Sequence, residues 1–201
     1  MKEKFRDKYR IDSNRLPGWD YSGSGFYFLT FVTQYRTCNL GEIFNNQIVL
    51  SDYGQIVAKE WRKSFEIRKE LFCDSVQIMP NHIHAIIKLD KSQLDEIEFP
   101  ISLNKPFLIK NFFQEPAEFR MRPKSISSFV AGYKSAVNTA IDDYIDEMKL
   151  KSDKFNRANH FFQPDYYDHI IRDKSEYFKI KRYIQNNPEN WEIDLMNSEL
   201  E

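Results

Sequence analysis

Met79-Pro80-Asn81-His82-Ile83-His84-Ala85-Ile86-Ile87 places two histidines one residue apart at the head of an apolar, β-branched run, just after a Pro-Asn pair. Such a run reads as a strand, and side chains along a strand alternate between its faces. His82 and His84 then share one face, while Ile83, Ala85, Ile87 and Leu89 share the other and can line a core. Two imidazoles side by side on a rigid element make half of a metal site. The competing reading is a pair of ordinary sheet histidines, and the motif alone does not choose between them.

Working outward, Asp74–Met79 reads as the preceding strand, turned at Pro80-Asn81 so that the histidine strand runs antiparallel to it. Phe26–Thr33 is aromatic and β-branched throughout, which predicts a central strand. A short hairpin turning at Asn45-Asn46 is expected within residues 34–50. Ser51 or Asp52 can cap a helix running to about Leu71, with Ile56, Val57, Trp61, Phe65 and Ile67 on its buried side. Helical spacing is clearest from Ile126 through Phe129, Val130, Tyr133, Val137 and Ile141 to Met148, capped by Ser125 or Ser127. A short strand follows within residues 161–171. The last helix starts near Asp173 and stops around Asn187, because the residue before Pro188 is disfavoured in helical geometry. Antiparallel strands with amphipathic helices between them predict an α+β sandwich, helices on one sheet face and the other left for a polymer.

The chain's 201 residues suffice for one domain, here read as residues 1–201 with a long irregular excursion at about 90–124 carrying four prolines. A formal net charge of −1 excludes a uniformly basic nucleic-acid binder but not a local basic patch. Cys38 and Cys73 are isolated, which argues against a zinc ribbon and a disulfide scaffold. With neither an apolar signal core nor a bilayer-length apolar stretch, the expectation is a soluble, cytoplasmic protein.

Tyr183 and Asn187 lie four apart on the final helix and therefore on one face. Beside the two imidazoles they form a coherent site. Asn187 can complete the protein ligands of a divalent cation with His82 and His84, leaving positions for phosphate oxygens, and Tyr183 can attack the polarised phosphorus. Taken singly, Tyr183 also reads as a half-buried helix aromatic and Asn187 as a C-terminal cap.

Four motifs in order resemble one family. Arg15-Leu16-Pro17-Gly18-Trp19-Asp20-Tyr21, the His82-Ile83-His84 strand, Gly132-Tyr133-Lys134-Ser135-Ala136-Val137, and Phe162–Asp173 leading into Tyr183-Ile184-Gln185-Asn186-Asn187-Pro188 are similar to the single-tyrosine HUH (IS200-like) transposases, in their REP-associated tyrosine transposase branch. The resemblance implies a ferredoxin-like, RRM-like sheet with the histidines on a central strand. It implies cleavage and strand transfer on single-stranded or hairpin DNA from palindromic repeats, through a 5′-phosphotyrosine. It makes Tyr183 the nucleophile and His82, His84 and Asn187 the ligands of Mg2+ or Mn2+, although two imidazoles alone would also suit zinc. It allows a monomer, or a homodimer in which the tyrosine helix serves the partner's histidines.

Arg120, Arg122, Lys124, Lys134, Arg172, Lys179, Lys181 and Arg182 flank the predicted site and are candidate phosphate contacts, Lys181 and Arg182 foremost because they adjoin Tyr183. Two rival readings share these residues: a catalytically silent hairpin-DNA-binding protein of the same fold, and a metal-dependent hydrolase that uses water.

Overall fold

The computed structural model describes residues 19–90, 124–156, 158–194 and 196–197. Its elements in chain order are β1 (Gly25–Val32), the hairpin β2 (Gly41–Phe44) and β3 (Gln47–Leu50), α1 (Asp52–Ile67), β4 (Leu71–Ile78), β5 (His82–Leu89), α2 (Ile126–Glu147), β6 (Tyr167–Ile171) and α3 (Lys174–Asn186). Arg120, Arg122 and nearly all of the 90–124 excursion lie outside the described residues.

Four strands form one sheet in the order β4-β5-β1-β6, and every neighbouring pair is antiparallel. With the β2–β3 hairpin set aside, the chain order is β-α-β-β-α-β, the ferredoxin-like arrangement of two interleaved split βαβ units. The fold is α+β, and the aromatic strand β1 and the histidine strand β5 are its two central strands.

Local chemistry sets the boundaries. Ser51, Ser125 and Asp173 each accept a hydrogen bond from a backbone N–H in the first turn of the helix that follows. Asn45 and Asn46 turn the hairpin with φ of 49° and 60°, the positive values that a tight two-residue connection requires. The sequence-based end of α1 needs correction: the helix stops at Ile67, and Leu71 instead opens β4, where it pairs with Leu89 and is buried. Ile67 is exposed, because the buried stripe of α1 runs through Gly54, Val57, Trp61 and Ser64 and leaves position 67 off its axis. Met148, placed on the buried side of α2 by spacing, is likewise exposed at the helix end.

The alternation of β5 divides its side chains between two cores. Ile83, Ala85, Ile87 and Leu89 join Tyr27, Leu29 and Phe31 of β1 against Trp61 of α1 and Phe129 and Tyr133 of α2. On the opposite face Phe26, Ile86 and Ile171 meet Tyr177 and Ile184 of α3. So α1 and α2 pack together on one face, and α3 crosses the histidine face over β4 and β5. At the margin of that cover Phe28 is partly buried against the α3 cluster, and Tyr167 of β6 is exposed.

Gly54 sits where α1 meets the backbone before β2, and a Cβ built there would lie 2.0 Å from the Leu40 carbonyl oxygen. A Cβ at Gly25 makes only ordinary contacts, at 3.7 Å and beyond. Gly54→Ala is therefore expected to destabilise the protein by about 1–3 kcal/mol in urea unfolding, as overpacking does, while Gly25→Ala stays within about 0.5 kcal/mol of the parent. Equal stability of the two variants would contradict this packing.

Candidate active site

Four side chains from opposite ends of the sequence converge within one chain on the histidine face. Strand β5 supplies His82 and His84, and their ring centroids are 4.4 Å apart. Tyr183, on the exposed side of α3, reaches down so that its hydroxyl lies 3.1 Å from His84 Nε2. Asn187, the C-cap of α3, points its Oδ1 at His82 Nε2 over 3.2 Å. The histidines and Asn187 are buried, whereas Tyr183 is 46 % exposed. Pro188 begins a 3-10 segment, Pro188–Ile193, whose Trp191 closes over His82 at 6.1 Å between rings.

The orientation of each group can be assigned from its partners. Asn81 Nδ2 donates to the Arg36 and Met196 carbonyls, at 3.1 and 2.7 Å, which turns its Oδ1 toward His82 Nδ1 at 2.8 Å. Asn187 Nδ2 donates to Asp194 Oδ2 at 2.6 Å, which turns its Oδ1 toward His82 Nε2. His82 thus faces an acceptor oxygen on both sides. A neutral imidazole has one N–H, and the shorter contact places it on Nδ1. The Nε2 lone pair is left against the lone pairs of an amide oxygen. His84 is held between two hydroxyls, Thr30 Oγ1 at 2.8 Å from Nδ1 and the Tyr183 hydroxyl at 3.1 Å from Nε2, and either hydroxyl can donate or accept.

Burial pushes the His82 imidazole down to about 4, only partly opposed by Asp194 and by the contact with Asn187. Burial, followed by the neighbouring His82, holds His84 well below the ordinary range. Both rings are neutral at pH 7 and present lone pairs, the form in which imidazole binds metal. Burial and the Asp194 charge raise the Tyr183 phenol above its usual value, so it is protonated at neutral pH.

The donor set fits a divalent cation. Two neutral imidazoles lie 4.4 Å apart between ring centroids, His82 Nε2 against the Asn187 amide oxygen and His84 Nε2 against the Tyr183 hydroxyl. The 3.2 Å between His82 Nε2 and Asn187 Oδ1 is close to the ~3 Å expected between adjacent ligands of an octahedral ion with bonds near ~2.1 Å. Among the described residues no group of three or more His, Cys, Asp or Glu side chains is arranged to hold a metal.

The basic candidates separate. Lys134 lies on the α2 side of the sheet over the Phe31 ring, away from the histidines, and its ammonium donates to the Gln163, Pro164 and Asp165 carbonyls. Its burial brings the amine down to about 8. Lys181 is tied to Asp74 at 3.1 Å and to the Tyr177 hydroxyl at 2.9 Å, so its charge is largely answered within the protein. Lys179 and Arg182 are exposed and line, with Tyr183, Asn187 and Asp194, a groove of about 910 Å³ beside α3. Lys124 and Arg172 are exposed. Tyr166 packs against the main core and stacks on Phe31, while its neighbour Tyr167 is exposed.

Sequence reasoning missed Asp194, Asn81 and Thr30. Asp194 stands in an acidic tail where nothing distinguishes it, and Asn81 read only as a turn residue.

No family model matches the chain. Over 184 residues it is 31% identical to a Haemophilus influenzae protein described as uncharacterized, a match covering 92% of this chain and 91% of the relative. The chain belongs to that protein's family. The match spans nearly the whole of both chains. Among solved structures, a REP-associated tyrosine transposase bound to a REP hairpin is similar with a TM-score of 0.49 and 17% identity, covering 92% of this chain and 74% of that one. A Deinococcus radiodurans R1 protein described as a candidate transposase is similar at 0.44 and 14%, covering 86% and 95%. Both likenesses are distant. Among the described residues no helix is long and apolar enough to cross a membrane.

The depressed His82 value has a consequence for stability. In the metal-free protein an unfolded imidazole takes up its proton near pH ~6.5, whereas the folded one does so only near 4. Between those limits the unfolded state holds more protons, so stability is complete above the upper limit and falls as the pH drops through the window. The urea midpoint is expected to decline from pH 7 to 4.5, and His82→Asn to remove part of that decline. An unchanged slope in the variant would contradict a buried neutral imidazole.

Proposed function

We propose that this protein is a metal-assisted DNA strand transferase that cleaves single-stranded or hairpin DNA with Tyr183 as nucleophile, in the manner of the REP-associated tyrosine transposases its sequence motifs resemble. The observation that supports this reading lies inside one chain: the Tyr183 hydroxyl is 3.1 Å from His84 Nε2, and the adjacent His82 Nε2 is 3.2 Å from the Asn187 amide oxygen.

His82, His84 and Asn187 would hold Mg2+ or Mn2+. When bound, the cation supplies charge withdrawal from a phosphodiester and a fixed direction for its oxygens. The chain does the rest. Asn81 and Thr30 hold the imidazoles with Nε2 inward, and Asp194 holds the Asn187 amide. Helix α3 presents the Tyr183 oxygen to the phosphorus. The new bond joins phosphorus to the phenolic oxygen, and the bond to the 3′ oxygen breaks. The phenolic proton passes to water, since burial makes both imidazoles weak acceptors, and the departing 3′ oxygen takes up a proton. The tyrosine ester keeps the energy of the broken linkage, so a 3′-hydroxyl can reverse the step without ATP. Exposure of Tyr183 beside buried ligands suits a polymer substrate arriving from solvent.

Incubation with labelled hairpin DNA and Mn2+ is expected to give a protein–DNA adduct stable in denaturing gels, absent in Tyr183→Phe and after EDTA. Turnover without an adduct, retained by Tyr183→Phe, would point to a water-using hydrolase. Tight hairpin binding with no adduct under any metal would point to the silent binder.

Asp194→Asn is expected to lower Mn2+ affinity by about 10- to 100-fold, as loss of a partner to a ligand does, with little change in unfolding midpoint at pH 7. Calorimetric titration checks it, and unchanged affinity would remove Asp194 from the site.

A further inference from the structure

Resting on the DNA reading above, we propose that Phe28 and Tyr167 form a stacking subsite for a nucleobase next to the scissile phosphate. Both residues are on the histidine face: Phe28 is two residues before Thr30, which pairs across the sheet with His84 on one side and Tyr167 on the other. The Phe28 ring lies 5.3 Å from His84, 6.4 Å from Tyr183 and 6.0 Å from Tyr167, edge-on to the two tyrosines. The aromatic surface is therefore continuous with the nucleophile. Helix α3 packs on Phe26 and Ile171 and reaches His169 through Glu176, with Phe28 partly buried at its margin, and beyond that margin Tyr167 is 41 % exposed.

A single aromatic on an edge strand usually folds down onto its neighbours. Tyr166 does so, against Phe31 in the main core. Tyr167, one residue on, is directed to the opposite face, where its ring meets Phe28 at 6.0 Å and 68° between planes. It is 41 % exposed beside a site whose proposed substrate carries a planar aromatic group on every repeat. Stacking of bases on such rings tolerates any sequence, because every base has a π-face. Charge is complementary as well: exposed Lys179 and Arg182 flank Tyr183 on α3, and exposed Arg172 follows β6. A strand whose phosphate sits at Tyr183 would then lay an adjacent base on the platform while its backbone meets the cations.

The test uses the full chain in a Tyr183→Phe background, so that no chemistry is needed, and fluorescence anisotropy at fixed salt. The probes are a labelled single-stranded thymidine 12-mer and a 12-mer of the same length whose sugars carry no bases. Tyr167→Ala should weaken binding of the thymidine oligomer by about 5- to 100-fold and leave the abasic oligomer unchanged, while Tyr167→Phe keeps the parent affinity for both. Equal weakening of both oligomers, or of neither, overturns the stacking subsite and leaves the DNA reading standing. Failure of the parent to bind either oligomer while it still binds the labelled hairpin overturns the subsite alone, and failure to bind the hairpin as well overturns both.

Discussion

The hydrogen bond from Asn187 Nδ2 to Asp194 Oδ2, 2.6 Å long, decides what the rest of the site can be. An amide can present either its oxygen or its nitrogen to a neighbour. Without the carboxylate, Asn187 would turn its NH2 toward His82 Nε2 and close an ordinary hydrogen bond between two buried groups. With it, the oxygen faces the imidazole, and Asn81 does the same from the other side, its NH2 held by two carbonyls. A buried acceptor left against another acceptor is costly, on the order of 1–3 kcal/mol. The fold keeps that arrangement because the 3-10 segment after Pro188 holds Asp194 and Met196 in place. What looks like the loose end of a chain is the element that selects the donor set.

The sheet was legible because β5 obeys its period. One alternation, apolar residues to one face and histidines to the other, set the core, the site and the antiparallel pairing at once, and Ser51, Ser125 and Asp173 marked the helix starts. The meeting of Tyr183 with the histidines was legible from i, i+4 spacing and a resemblance, not from any local rule, because nothing local says which helix crosses which strand. Charges were the least legible. Lys134 and Lys181 stand in flanking segments as Arg182 does, yet one ammonium caps three carbonyls and the other answers Asp74. Sequence position cannot distinguish a lysine bound to its own fold from one offered to a phosphate. The end of α1 failed for a related reason: Leu71 fits a helical stripe, but pairing with Leu89 across the sheet removes more of it from water.

Two opposed solvation demands meet on the histidine face, and the topology reconciles them. Imidazoles that stay neutral need a dry site, which burial under Trp191 and α3 provides. A nucleophile for a polymer needs access, and Tyr183 has it because its helix ends at the rim of the covered region. A helix laid squarely over β1 would have buried the phenol; one laid beyond the β4 edge would have wetted the histidines. The actual path, over β4 and β5 with its C-cap reaching His82, leaves the buried Asn187 oxygen, the proposed ligand, and the exposed Tyr183, the proposed nucleophile, on opposite sides of a boundary between dry and wet. The same boundary leaves Phe28 half-covered and Tyr167 open, so the aromatic surface starts where the helix stops. The conditions for holding a cation and for admitting a strand are therefore set by one structural variable, the line along which α3 crosses the sheet.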